Sequence, residues 1–554
     1  MMMLLTRMGL VAIVAGSVLG NMMSPHILKR AEHQLSRRDA NPLTLLYKAH
    51  NFSVPVDHFH NEEKYEPHSE EKFPIRYWYD ATYYKPGGPV IALSSGETSG
   101  EDRLPFLQKG IVNILAKATN GIGVILEHRY YGTSFPVPDL SVKNLRFLTT
   151  EQALADTAYL AENIVFEGLE DYDLTASDVP WIVYGGSYAG AFVAFLRVLY
   201  PDTFWGAISS SGVPEAIIDY WKYWEPIRQL GPQECIHTTQ DFVEVLDGIV
   251  IGHKNDTERI TKLKATFGLP NITETTDFVA ALANYGIGAW QGRNWDPAVS
   301  DTTFERYCGN ITNTTLIYPR TSTLRSSVES LIGAAGQEPS QELTTKILNW
   351  IGFTNTTLVN SCAAKNQTQD QCYSSNNQTY YDQQDYASQS WRSWAYQYCT
   401  EWGYYQTGSG VPSDIRPLLS RTIDVPYGSI VCRLAFNITT PPDISVINRY
   451  GGLGINYTRL AFIDGQADPW KEAGPHASDA LKRLSTWAEP FMEVEGAVHH
   501  WDENGLFANE TTATLPPEPV KAVQNAEVAF VKVWLREYWS TQCKVKMSDE
   551  YMKT

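Results

Sequence analysis

Trp181-Ile182-Val183-Tyr184-Gly185-Gly186-Ser187-Tyr188-Ala189-Gly190 joins a short apolar run to a serine set among small residues. The run at 181–184 has the length and composition of a buried strand. The segment that follows, 189–200, has an apolar helical pattern stopped by Pro201. Gly185 to Ala189 is a close variant of G-x-S-x-G, with Ala189 at the last glycine position. A nucleophilic serine has to sit on a tight turn with Oγ exposed, and small neighbours let strand and helix pass closely beneath it. A glycine-rich strand-to-helix turn without catalysis would look similar. The strand before and the helix after Ser187 favour the nucleophile.

Upstream, 89–93 and 122–126 are apolar runs typical of buried parallel strands, with helical patterns at 103–118 and 145–160. Thr149-Thr150-Glu151-Gln152 supplies the cap of the second helix. A fourth strand is expected at 205–209. Strand alternating with helix predicts a parallel sheet covered on both faces. From 213 to 440 the alternation gives way to polar helical patterns and a Gln/Tyr/Trp-rich stretch at 378–405. Strand signals return at 460–463 and 491–494, before a final helix at 522–539. The expected organisation is a core in two parts, 46–212 and 441–554, with a mainly helical cap inserted at 213–440.

A serine hydroxyl needs a histidine to take its proton, and that histidine needs a carboxylate to orient it. In the α/β-hydrolase arrangement these follow in the order serine, acid, histidine. Ala461-Phe462-Ile463-Asp464-Gly465-Gln466-Ala467-Asp468-Pro469-Trp470 offers two acids after a late strand, Asp464 and Asp468. Glu495-Gly496-Ala497-Val498-His499-His500-Trp501-Asp502 offers two histidines after the next. The oxyanion is expected at the backbone N–H of Tyr188 and at Gly96 or Glu97 in the loop after the first strand. This chemistry needs no metal or organic cofactor.

At these residues the chain resembles the serine peptidases that include lysosomal prolyl carboxypeptidase, dipeptidyl-peptidase II and the fungal acid prolyl endoproteases. The resemblance extends through Val56-Asp57-His58-Phe59, Glu127-His128-Arg129-Tyr130-Tyr131-Gly132, Glu151-Gln152-Ala153-Leu154-Ala155-Asp156 and Tyr396-Gln397-Tyr398-Cys399-Thr400-Glu401-Trp402-Gly403. It implies Asp468 as the acid, because Pro-Trp follows it, and His499 as the base. The extra residue Val498 leaves His500 as the alternative. It also implies a helical cap, cleavage after proline, and Trp470 as a wall of the proline pocket. Trp394, Tyr396 and Trp402 are further aromatics, better read as filling between cap and core. Glu127 and Arg129 are expected in structural ion pairs. The same triad serves secreted carboxylester hydrolases, and the fold could be kept for binding alone. The motifs around the triad favour peptide or protein substrates.

The N-terminus has the shape of a signal peptide, 1–20, followed by a possible propeptide or arm, 21–45, carrying Lys29-Arg30 and Arg37-Arg38. Export agrees with eleven Asn-x-Ser/Thr acceptors, at Asn51, Asn255, Asn271, Asn310, Asn313, Asn355, Asn366, Asn377, Asn437, Asn456 and Asn509. The seven cysteines show no CxxC pair, so disulfides are expected, six of the cysteines lying between Cys235 and Cys432. A net charge of −18 without a basic cluster argues against a nucleic-acid partner. No apolar stretch beyond the N-terminus is long enough to span a bilayer.

Overall fold

Ten strands occur among the residues described by the computed structural model, 42–386 and 389–552. In chain order they are β1 (His50–Pro55), β2 (Lys72–Asp80), β3 (Val90–Ser94), β4 (Ile122–Leu126), β5 (Trp181–Gly186), β6 (Gly206–Ser210), β7 (Ile217–Asp219), β8 (Gly403–Tyr405), β9 (Leu460–Gly465) and β10 (Phe491–Val494). The expected signal peptide and the dibasic pairs lie outside the described residues. Eight strands form one sheet in the order β1-β2-β4-β3-β5-β6-β9-β10, while β7 and β8 pair separately. From β4 to β10 all pairings are parallel.

The strands read from the sequence form the expected parallel sheet, and two strands not read there, β1 and β2, extend it antiparallel at one edge. In β1 only Val54 is buried, and β2 carries Lys72, Arg76 and Asp80 among its buried residues, so neither presents a continuous apolar run. Strands β3 to β6 are buried along their whole length, as parallel strands covered on both sides must be. Their side chains alternate between two cores. Ile91, Leu93, Ile125, Ile182, Tyr184 and Ile208 pack with the helices Ile111–Thr119 and Glu518–Met552. Val90, Ala92, Val124, Val183 and Ala207 pack with Thr150–Asn163 and Tyr188–Leu199. This is the α/β-hydrolase fold.

Two expected helices need correction. The pattern at 103–118 is two helices, Leu104–Gln108 and Ile111–Thr119. They part at Gly110, where a Cβ would lie 2.4 Å from the Glu503 carbonyl oxygen, so close approach of another chain segment fixes a residue poor at helix formation. The pattern from 145 begins as a 3-10 turn, Asn144–Phe147. The helix proper starts after Thr149, whose side chain accepts from the Gln152 N–H.

Between β6 and β9 the chain is mainly helical, with Gln233–Val250 and Gln341–Thr354 among its longer helices. Three disulfides, Cys235–Cys308, Cys362–Cys372 and Cys399–Cys432, staple this region, as an oxidising, extracellular address permits. The side chain of Cys543 lies outside the described residues. All eleven glycan acceptors are exposed or half-buried. No described helix is long and apolar enough to cross a membrane.

The helical region docks on the core through polar groups. Glu401 accepts from the N–H and hydroxyl of Thr150 at 3.0 and 2.8 Å, satisfying the start of a core helix. Burial pushes the Glu401 carboxyl up to about 7 despite those bonds. An unfolded chain releases that proton near the ordinary carboxylate pKa of roughly 4.3, whereas the folded protein holds it until about 7. Stability from this group is therefore lost as pH rises through that window. The thermal midpoint should fall between mildly acidic and neutral pH, and Glu401→Gln should flatten the fall; calorimetry across that range checks it.

Candidate active site

Ser187 stands between β5 and the helix Tyr188–Leu199, with φ +61° and ψ −125°. Such a backbone costs energy for a residue with a Cβ and is held only by its surroundings. Its N–H donates to the Ser210 carbonyl at 2.9 Å, tying the turn to the end of β6. Gly185 and Gly190 make the crossing possible: a Cβ on Gly185 would lie 2.1 Å from the Ala189 oxygen, and one on Gly190 2.8 Å from Gly212 Cα. Ala189, where the usual pattern has glycine, is accommodated from the other side. Gly96, with φ +67°, faces it, and a Cβ there would come within 3.2 Å of the Ala189 methyl. The 95–97 loop thus lies against the first turn of the helix that follows Ser187.

The two acids separate cleanly. Asp468 Oδ2 is 2.8 Å from His499 Nδ1, and both side chains are buried. The other Asp468 oxygen accepts from the Trp470 N–H at 2.9 Å. Asp464 instead pairs with His476 at 2.6 Å. The histidines separate as well. His499 Nε2 is buried and makes no hydrogen bond. His500 adopts a left-handed backbone, φ +36°, donates its N–H to Ser211 Oγ at 2.9 Å, and forms an ion pair with Glu503 at 2.9 Å. Two residues on, Asp502 accepts from Tyr184 at 2.6 Å and Ser210 at 2.5 Å, anchoring the histidine loop to the ends of β5 and β6.

Burial lowers the pKa of His499, outweighing the Asp468 carboxylate, and the neighbouring His500 adds to the depression. For His500, burial works in the same direction, but the Glu503 carboxylate holds its pKa above the ordinary value. Glu97 has a carboxylate oxygen buried without a partner, and burial raises its pKa. Glu127 and Arg129 are structural, as expected. Arg76 holds Glu127 at 2.7 Å, and Arg129 makes a bidentate pair with Asp156 at 2.6 and 2.7 Å.

Tyr188 is fully packed. Its hydroxyl meets His128 Nε2 and Gln397 Nε2, each at 3.0 Å, and its ring meets the edges of Trp394 and Trp402. Burial lowers the His128 pKa to about 4, so this ring is a neutral partner. Tyr396 packs away from the site on Phe436. Trp470 lies stacked on Tyr220, with Tyr223 and Tyr404 edge-on, and is 3% exposed.

Sequence reasoning missed the cap segment that grips the loops carrying Asp468 and His499. In and just after the turn Ile287–Gly292, Trp290 Nε1 donates to the Ala467 carbonyl at 2.7 Å. Gln291 Oε1 accepts from Trp470 Nε1 at 2.9 Å and from the Tyr223 hydroxyl at 3.0 Å. Trp295 donates to the Trp501 carbonyl at 2.8 Å, and Trp501 donates back to the Arg293 carbonyl at 3.0 Å. Gln291→Leu would orphan the buried Trp470 indole N–H at about 1–3 kcal/mol. Both the thermal midpoint and kcat/KM should drop, the latter by roughly tenfold or more through the loosened Asp468 loop. Gln291→Glu keeps the acceptor but buries a carboxylate, so it should restore kcat/KM more than the thermal midpoint.

The model of the serine carboxypeptidase S28 family matches residues 54–513. A probable extracellular serine carboxypeptidase of Arthroderma benhamiae is 55% identical over 492 residues, covering 88% of this chain and 68% of that protein. The serine protease vicPa of Bipolaris victoriae is 29% identical over 78% of this chain and 80% of its own length, and the human thymus-specific serine protease is 26% identical over 71% and 72%. With a serine elbow after β5 and a buried Asp–His pair on the loops after β9 and β10, the chain belongs to the serine carboxypeptidase S28 family and is a secreted serine-type peptidase of α/β-hydrolase fold.

Proposed function

We propose that Ser187, His499 and Asp468 form the catalytic triad and that the enzyme hydrolyses peptide bonds after proline through an acyl-enzyme. Ser187 Oγ attacks the carbonyl while His499 Nε2 takes its proton and passes it to the leaving amine. Water then enters by the same route and releases the acyl group. Asp468 holds the His499 ring and balances its transient charge. The developing oxyanion is received by the Tyr188 N–H and by the backbone of Gly96 or Glu97. The observation that carries this reading is the buried Asp468–His499 pair with Nε2 left unpartnered.

Proline before the cleaved bond presents an apolar ring without an N–H, which suits an aromatic pocket. Trp470, held by Tyr220, Tyr223 and Tyr404, is assigned as its back wall. Removal of a C-terminal residue is the mode suggested by the naming of the Arthroderma relative. Peptides ending in Pro-X with free or amidated C-termini, and their Ala-X counterparts, read by mass spectrometry, test both features. Cleavage should require proline and a free carboxylate; equal cleavage of the alanine and amidated peptides contradicts the assignment. Because burial depresses the His499 pKa, the acidic limb of kcat/KM should lie below the ordinary histidine value of about 6.5.

A further inference from the structure

Far from the triad, just after β1, two histidines and an aspartate converge. Asp57, His60 and His68 each place one potential ligand atom within 4.8 Å of the other two. The Asp57 carboxylate is buried and fixed in orientation, since its Oδ1 accepts from the Phe59 N–H at 2.9 Å and from Gln152 Nε2 at 2.7 Å. That leaves Oδ2 aimed at His68 Nδ1, 2.7 Å away. The His68 side chain is 25% exposed and that of His60 43% exposed, and their ring centroids are 5.6 Å apart. Glu70, largely solvent-exposed, comes within 3.5 Å of His60 Nδ1.

We infer that Asp57, His60 and His68 form a binding site for a divalent transition metal of the zinc type, with water or Glu70 as fourth ligand. Two imidazoles and a carboxylate are the donor set such ions prefer over magnesium or calcium. A tetrahedral zinc ion at roughly 2.0–2.2 Å from each ligand needs its ligand atoms about 3.3 Å apart. The Asp57–His68 contact would open by a few tenths of an ångström, and the exposed His60 ring would close by about 1.5 Å from the outer limit. Only the partly exposed rings move, while the bonds from Phe59 and Gln152 act as the outer shell that holds the ligating carboxylate still. The ion would clip the turn after β1 to the segment leading into β2. The site plays no part in the chemistry: β1 lies four strands from β5, about 19 Å away.

Zinc chloride is added near neutral pH to the chelator-stripped, desalted glycoprotein, and metal retained after a second desalting is counted by plasma mass spectrometry, alongside the thermal midpoint. One equivalent should be retained, the midpoint should rise, and peptidase activity should not change. His60→Gln should weaken retention by at least about tenfold, and His60→Gln with His68→Gln should abolish both retention and the midpoint shift. No retained zinc in the parent protein, or one equivalent still retained by the double variant, overturns the assignment. The exposed position of His60 keeps the single variant informative should the double variant fold poorly.

Discussion

His499→Ala should lower kcat/KM by about 10⁴- to 10⁶-fold, whereas His500→Ala should leave most of the chemistry in place. The two rings are neighbours, with centroids 4.5 Å apart, yet they have different partners. His499 has the carboxylate of Asp468 at one nitrogen and nothing at the other, the arrangement of a base waiting for a proton. His500 is bound into an ion pair with Glu503, and its backbone is anchored on Ser211. Its removal orphans the buried Glu503 carboxylate, so the expected cost is chiefly in stability. It also removes one of the influences that depress the His499 pKa, so the acidic limb of kcat/KM should move upward in that variant. Steady-state kinetics across pH, with thermal melts of both variants, separate the two roles. A large loss for His500→Ala with little for His499→Ala would shift the base by one residue.

The second large effect is expected at the acids. Asp468→Asn keeps the shape of the site but can present an amide N–H to His499 Nδ1 in place of the acceptor, favouring the wrong tautomer, and a loss in kcat of about 10⁴-fold follows. Asp464→Asn leaves the Asp468–His499 pair untouched and weakens only the contact to His476. It should cost stability and a minor fraction of kcat. The contrast is informative because both residues are buried aspartates bonded to a histidine ring, so loss of a buried Asp–His pair alone cannot account for a difference between them.

Much of this site was legible in the chain because its parts are local. Ser187 lies in a strand-turn-helix whose glycines are demanded by contacts within a few residues, and Asp468 precedes a Pro-Trp pair that the family resemblance singles out. The central strands were legible because burial on both faces makes them continuous apolar runs. Strands β1 and β2 were not, since strands with one wet face mix polar and apolar residues, as β2 does with Arg76 and Asp80 among Phe73, Ile75 and Tyr77. The helix break at Gly110 depends on Glu503, distant in sequence, and leaves no periodic trace. The grip of Trp290, Gln291 and Trp295 on the loops after β9 and β10 escapes for the same reason: two of its acceptors are backbone carbonyls, which carry no residue-type signature. Asp464 and Asp468 were equivalent on pattern, and only the position of His476 in space separates their partners.

The central claim is that Ser187 is the nucleophile of a working triad. It is tested most directly by treating the enzyme with a fluorophosphonate and mapping the adduct by peptide mass spectrometry. A single phosphonylated residue at Ser187, absent in Ser187→Ala and strongly slowed in His499→Ala, is the result predicted. An adduct on another serine, or undiminished labelling of a folded Ser187→Ala variant, would contradict it.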